Sequence, residues 1–62
     1  MTLKDVLTTV SYHQTVEIIY GDKTISGQYD NIKGLIPIEL FNGVVKDVAA
    51  CQDSLKIWLD VK

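Results

Sequence analysis

The feature that most constrains this chain is the scarcity of residues that could cross-link it. Cys51 is the only cysteine among 62 residues, so no disulfide can form within the chain. Cys51 and His13 are the only Cys and His, whereas a structural zinc site needs about four ligands. A chain this short buries only about 60% of the surface of its unfolded form. Its stability must come from close packing or from self-association, and we expect a homo-oligomer.

The composition is that of one globular domain spanning residues 1–62, with 47% apolar and 23% charged residues. A net charge of −2 and a complete lack of arginine argue against nucleic-acid binding, which needs a basic surface. No apolar run approaches the roughly 18–20 residues of a membrane span, and the first residues do not resemble a signal peptide. The single unpaired cysteine fits a reducing compartment, so we expect a cytoplasmic protein without a membrane association.

The first residues predict a short amphipathic helix. Apolar residues recur at helical spacing at positions 3, 6, 7 and 10. Thr2 can cap this helix, with Asp5 three residues later completing a capping box. Thr8 and Thr9 are poor helix formers, and the helix is expected to fray there.

Residues 15–20 alternate between apolar and polar positions and are followed by Gly21-Asp22, which is typical of a type II′ hairpin turn. The return strand is expected to run from Lys23 to Asn31. A two-residue loop pairs Ile18 with Ile25 and Val16 with Gly27. This register predicts that one face of the hairpin carries Val16, Ile18, Tyr20, Ile25, Gly27 and Tyr29.

The middle of the chain is the most apolar and the least regular. We expect Gly34 to end the strand, a short helix over residues 37–42 that begins at Pro37, and Gly43 to stop that helix in a left-handed conformation. The apolar side chains of residues 35–41 are expected to cover one end of the core.

Residues 44–51 and 54–61 alternate and predict a second hairpin that turns at Gln52-Asp53. The predicted core face is formed by Leu55, Ile57, Leu59 and Val61, paired in that order with Ala50, Val48, Lys46 and Val44. Lys46 is the one charge on that face and is expected to extend its ammonium group outward at an edge. The other face carries Lys56, Trp58 and Asp60, opposite Ala49, Asp47 and Val45.

These elements predict an α+β fold. An N-terminal helix and a short helix between the hairpins cover two β-hairpins that form a small antiparallel sheet or a partly closed barrel. Strand order, oligomer number and closure of the sheet depend on long-range geometry that residue patterns do not supply.

No catalytic or metal site is predicted, and no cofactor is expected. Nucleophilic catalysis needs a nucleophile and a base held together, but His13 precedes the first strand and Cys51 lies at the second hairpin tip. Cys51 is expected to be half-buried and His13 to be a solvated loop residue. The aspartates and glycines match turns and solvated strand faces rather than a carboxylate pair or a phosphate loop. We therefore predict a protein that is not an enzyme.

Trp58 is the most informative candidate for binding. Alternation directs it away from the core face, and a large aromatic side chain on a polar sheet face needs a cover. Either the N-terminal helix or strand neighbours shield it, or it contacts an oligomer or protein partner, since tryptophan is enriched at interface hot spots. The predicted contact residues are Asp47, Lys56, Trp58 and Asp60. As an alternative, Tyr12 and His13 could line a groove that binds a nucleotide together with lysines.

The spacing of several segments resembles that of small phage and prophage proteins of unknown function from low-GC Gram-positive bacteria. The segments that carry the resemblance are LKDVL at 3–7, VEIIYGD at 16–22, Gly27, IPIELFNGVV at 36–45 and SLKIWLDV at 54–61. It implies no catalytic motif. It implies a context in the host cytosol, where small phage proteins block host factors, including defence nucleases, or sequester immune signalling nucleotides.

The leading hypothesis is a non-catalytic, phage-type interaction protein that inhibits a host defence factor by direct binding. The first alternative is an oligomeric small-ligand binder that sequesters a signalling nucleotide. A second alternative is a small structural or assembly protein.

Overall fold

A computed structural model describes residues 1–60 of the chain. It contains three short helices and four strands. In chain order they are α1 (Leu3–Leu7), β1 (Thr15–Tyr20), β2 (Lys23–Gln28), α2 (Tyr29–Ile32), α3 (Ile38–Phe41), β3 (Val45–Ala50) and β4 (Ser54–Leu59). The α+β class, the N-terminal helix and both hairpins were predicted, whereas α2 was not.

The four strands form one sheet in the order β2-β1-β4-β3. Each hairpin is antiparallel, but β1 and β4 pair in parallel at the centre, so the sheet is mixed rather than purely antiparallel, and it does not close into a barrel. The central strands carry the most deeply buried sheet residues, Val16, Ile18 and Ile57, none of which is exposed. Placing these strands side by side gives each apolar side chain neighbours on both flanks.

The first hairpin has the predicted register, with Ile18 opposite Ile25 and Val16 opposite Gly27. Gly21 has φ +61°, and no residue other than glycine has a positive φ among residues 1–60, which agrees with a type II′ turn. The return strand is shorter than predicted and ends at Gln28, because the chain turns into α2 there.

Gly27 explains why that strand ends early. Its φ of +144° is rarely adopted by residues with side chains, and an added Cβ would lie 2.9 Å from Cγ2 of Ile32. The missing side chain lets Ile32, the buried residue of α2, fold back onto the strand. Tyr29, predicted on the core face of β2, instead begins α2.

The helix α1 ends at Leu7 and buries Leu3, Val6 and Leu7, as its apolar spacing predicts. The capping box is present: the Thr2 amide donates to Asp5 Oδ2, and the Asp5 amide donates to the Thr2 hydroxyl. The hydrogen bonds from Thr2, first from its backbone, lower the pKa of the Asp5 carboxyl. Beyond the helix, the hydroxyls of Thr8 and Thr9 donate to carbonyls three residues earlier.

The predicted helix after Pro37 is present as α3, with Pro37 at the N-cap. Its stop differs from the prediction: Asn42, with φ −92°, is the C-cap, and Gly43 is not left-handed. The apolar segment before and within α3 covers the core only in part. Ile36 is buried, whereas Leu35 and Ile38 are 69% and 80% exposed.

The second hairpin keeps the predicted register at its turn, with Ala50 opposite Leu55 and Val48 opposite Ile57. The register then shifts at Lys46, so that Leu59 pairs with Val45 rather than with Lys46. This β-bulge removes the charge of Lys46 from the core face and packs Val45, predicted on the other face, against the core. The predicted pairing of Val61 lies outside the described residues.

All three helices contribute to one core on one face of the sheet. Buried residues of α1 and α2 cluster with Val16, Ile18, Ile57 and Leu59, and Leu40 and Phe41 of α3 pack against them. Within residues 1–60, none of the helices has the length and apolar character needed to cross a lipid bilayer. The other face of the sheet is left without a helix from the described part of the chain.

Candidate functional site

The sheet face opposite the helices is the candidate site, and we call it the open face. Its central rows are formed by Glu17, Ile19, Asp47, Ala49, Lys56 and Trp58. The parallel pairing of β1 and β4 places Ile19 beside Trp58 and Glu17 beside Lys56. Each strand thus contributes one member to an apolar pair and one to a pair of opposite charges.

Trp58 lies at the centre of this face. It is partly buried, although α1 is on the other side of the sheet and cannot shield it. Ile19, Gly21, Lys46 and Asp60 line a shallow hollow with Trp58. The indole therefore rests on strand neighbours, as one of the two sequence-based explanations holds, and still presents surface for a contact.

The four predicted contact residues are brought to this region. Trp58 pairs with Asp47 across β3 and β4, Lys56 lies one row away, and Asp60 lines the hollow around the indole. Asp47 also has a local role, because its Oδ1 accepts a hydrogen bond of 2.8 Å from the Val48 amide. The resulting surface has an apolar centre with charges around it, which is the usual layout of a protein interface.

Sequence reasoning missed three residues of this surface. Alternation places Ile19 and Glu17 on the face of β1 opposite Val16 and Ile18, but only the strand order shows that this face continues into that of β4. Lys46 was assigned to the core face, and the bulge brings it to the hollow beside Trp58. Adding Ile19 enlarges the apolar centre from one side chain to two.

At the alternative site, the structure adds two residues to the predicted Tyr12 and His13. The Tyr12 ring stacks on Tyr29 with centroids 5.8 Å apart and an interplanar angle of 17°. Lys33 Nζ lies 4.8 Å from the Tyr12 ring centroid, within the range of a cation–π interaction. Tyr12 as a whole remains 60% exposed, and His13 is exposed in the same connection. The aromatic and cationic groups brought together are thus Tyr12, Tyr29 and Lys33.

Cys51 is exposed, contrary to the half-buried position expected for it. It follows the last residue of β3, and its amide donates to the Ser54 carbonyl at the hairpin turn. Across residues 1–60, no three His, Cys, Asp or Glu side chains are grouped closely enough to hold a metal ion.

Comparison with protein-family models, with curated proteins and with solved structures found no match to this chain. Its function is therefore inferred from the geometry of its own residues.

Proposed function

We propose that this chain is a non-catalytic interaction protein that binds a protein partner through the open face. The observation that carries the proposal is the position of Trp58, partly buried beside Ile19 on a sheet face that no helix of residues 1–60 covers. Tryptophan at the centre of an apolar patch with a charged border is a frequent binding hot spot.

The charges around the patch favour a protein over other partners. Lys46 and Lys56 lie on the same surface as Glu17, Asp47 and Asp60, so neither sign dominates. A phosphate backbone would select a surface of positive charge, whereas a protein partner accommodates alternating charges. The resemblance to small phage proteins suggests a host defence factor as the partner, held inactive by the contact.

Replacing Trp58 by alanine is expected to weaken partner binding at least about tenfold, because a central tryptophan commonly contributes 2 kcal/mol or more. The wild-type chain and the variant would be immobilised, exposed to lysate of a Gram-positive host, and the captured protein then purified for affinity measurement. Tyr12→Ala is the matched control, since it removes an exposed aromatic ring from α2's neighbourhood and leaves the open face intact.

Trp58 is the only tryptophan, so its emission reports directly on the contact. Addition of the purified partner to the wild-type chain is expected to shift the emission to shorter wavelength as the indole loses water. Equal capture by the wild-type chain and Trp58→Ala would contradict the proposal.

A second candidate function, binding of a signalling nucleotide, is favoured by the cluster of Tyr12, Tyr29 and Lys33. An exposed tyrosine ring can stack on a base, and an ammonium group 4.8 Å from its centroid can neutralise a phosphate. In this proposal Tyr29 and Lys33 join the predicted residues Tyr12 and His13, which lie in the same connection.

Calorimetric titration with cyclic nucleotides and ADP-ribose derivatives tests this second function. If it holds, the wild-type chain releases heat with one of them, and Tyr12→Ala loses that heat while Trp58→Ala keeps it. Titrations without heat for every nucleotide would exclude this function and leave the open face as the binding surface.

A further inference from the structure

The outer edge of β2 carries backbone groups that have no partner within residues 1–60. The Tyr29 amide donates to the Gln14 carbonyl, which sets the alternation of bonded pairs along the hairpin. Val16–Gly27 and Ile18–Ile25 are then hydrogen-bonded pairs, and the residues between them point their amides and carbonyls outward. The outward residues of β2 are Thr24, Ser26 and Gln28.

The opposite edge of the sheet, on β3, offers a shorter run of outward backbone groups. Here the Cys51 amide bonds to the Ser54 carbonyl, so Val48 points its backbone groups outward. The Val48 amide is taken up by the Asp47 carboxylate at 2.8 Å. Farther along, the Val45 amide donates to the Met1 carbonyl at 2.8 Å, and the bulge at Lys46 interrupts the strand between these points. A side-chain bond to the outward amide, a bond to another segment and a bulge each hinder the addition of a further strand. Within residues 1–60, β2 carries none of these three features.

The edge of β2 is complementary to itself. In an antiparallel arrangement centred on Ser26, Ser26 faces Ser26 of a second copy, and Thr24 faces Gln28 of the second copy. Ser26 then exchanges two hydrogen bonds with Ser26 of the second copy, and each Gln28 amide donates to the Thr24 carbonyl of the other copy, about four bonds in total. The Gln28 carbonyl takes no part, because Gln28 is the N-cap of α2 and this carbonyl accepts the first hydrogen bond of the helix. No two charges of equal sign face each other across these pairs. On the core side, partly buried Ile25 lies opposite Gly27 of the second copy, next to the Ile32 side chain that packs onto that glycine.

We propose that two copies of this chain join through their β2 edges, in antiparallel register about Ser26, into one continuous eight-stranded sheet. The pairing leaves Trp58 free, because β2 and β4 are separated by β1. The proposal is independent of the binding function of the open face. It supplies the self-association that a domain of this size commonly needs and assigns it to a defined edge.

Amide exchange at single-residue resolution tests this pairing with the unmodified chain. Between micromolar and millimolar concentration, the amides of Ser26 and Gln28 are expected to become protected. The amides of Ile25 and Gly27, bonded to β1 in both states, serve as internal controls and stay protected throughout.

Ser26→Pro tests the same edge by removing the central amide. The fold does not use this amide, and proline is tolerated on edge strands, so the monomer should persist by circular dichroism. Loss of two hydrogen bonds in the symmetric dimer is expected to weaken it roughly tenfold or more in sedimentation velocity. Ala50→Pro, at an outward position of β3, is the matched control and should remain dimeric. If Ser26→Pro fails to fold, Ser26→Lys places two like charges face to face at the same point and is expected to weaken the dimer.

With the chain alone, each of three results would overturn the proposal: a chain that stays monomeric at millimolar concentration, a dimer without protection at Ser26 and Gln28, or dimer loss in Ala50→Pro but not in Ser26→Pro. If a strand of an unrelated protein adds to β2 in place of a second copy, the outward amides of β2 are protected only when that protein is present. This result would also overturn the proposal.

Discussion

Ile57→Ala is expected to cost about 2 to 5 kcal/mol of the free energy of unfolding and to lower the melting midpoint by about 10 °C or more. Ile57 is fully buried in the central strand β4, in a cluster with residues of all parts of the core. A domain of 62 residues is stable by only about 3 to 9 kcal/mol at typical values per residue. One cavity in this strand therefore removes much of the stability.

Val48→Ala is the matched control for this prediction. Val48 lies directly opposite Ile57 in the second hairpin but is 39% exposed, so its truncation should cost less than about 1.5 kcal/mol. Urea unfolding followed by Trp58 emission, at one protein concentration for all variants, measures both. Equal losses for the two variants would show that the core is not centred on β4.

Three glycine substitutions are expected to have effects of different size and sign. Gly27→Ala should destabilise the chain most, by about 2 kcal/mol or more, since it combines a φ of +144° with a Cβ only 2.9 Å from Ile32 Cγ2. Gly21→Ala keeps a positive φ of +61° but meets nothing within 4 Å, so about 1 to 2 kcal/mol of backbone strain is expected. Gly34→Ala has neither obstacle and should be neutral or stabilise by up to about 1 kcal/mol.

A double variant separates the two contributions at Gly27. Ile32→Ala removes the Cγ2 atom that an added Cβ would meet, so Gly27→Ala should cost less in that background than in the wild type. Thermal unfolding of the four chains gives the coupling energy. A cost of Gly27→Ala that is the same in both backgrounds would assign the whole effect to backbone conformation.

The local parts of the fold could be predicted because their determinants are adjacent in sequence. Gly21-Asp22 and the alternation around it specify the first hairpin with its register, and Thr2 with Asp5 specify the start of α1. The helix α2 could not be predicted, because its cause is the contact between Gly27 and Ile32, which exists only once the chain has turned. The bulge at Lys46 could not be predicted either, because the sequence shows an unfavourable charge on the core face but not how the strand avoids it.

The candidate site was predictable to a similar extent. Alternation was enough to place Trp58, Lys56 and Asp47 on one surface, because neighbours in a hairpin share a face by periodicity. It could not show that Ile19 lies beside Trp58, since that contact needs the pairing of β1 with β4. No turn connects these two strands, and nothing in either segment identifies the other as its neighbour.

The parallel pair at the centre of the sheet also determines when the chain can fold during its synthesis. Thr15 pairs with Ser54, 39 residues later (54 minus 15), so the central ladder joins two hairpins that are distant in sequence. The first hairpin can form while translation continues, but Ile18 gains its neighbour Ile57 only after β4 has left the ribosome. Until then the nascent chain exposes the apolar face of β1 and the unpaired inner edge of the hairpin. Resistance to proteolysis should therefore arise in a single late step, when β4 inserts between β1 and β3.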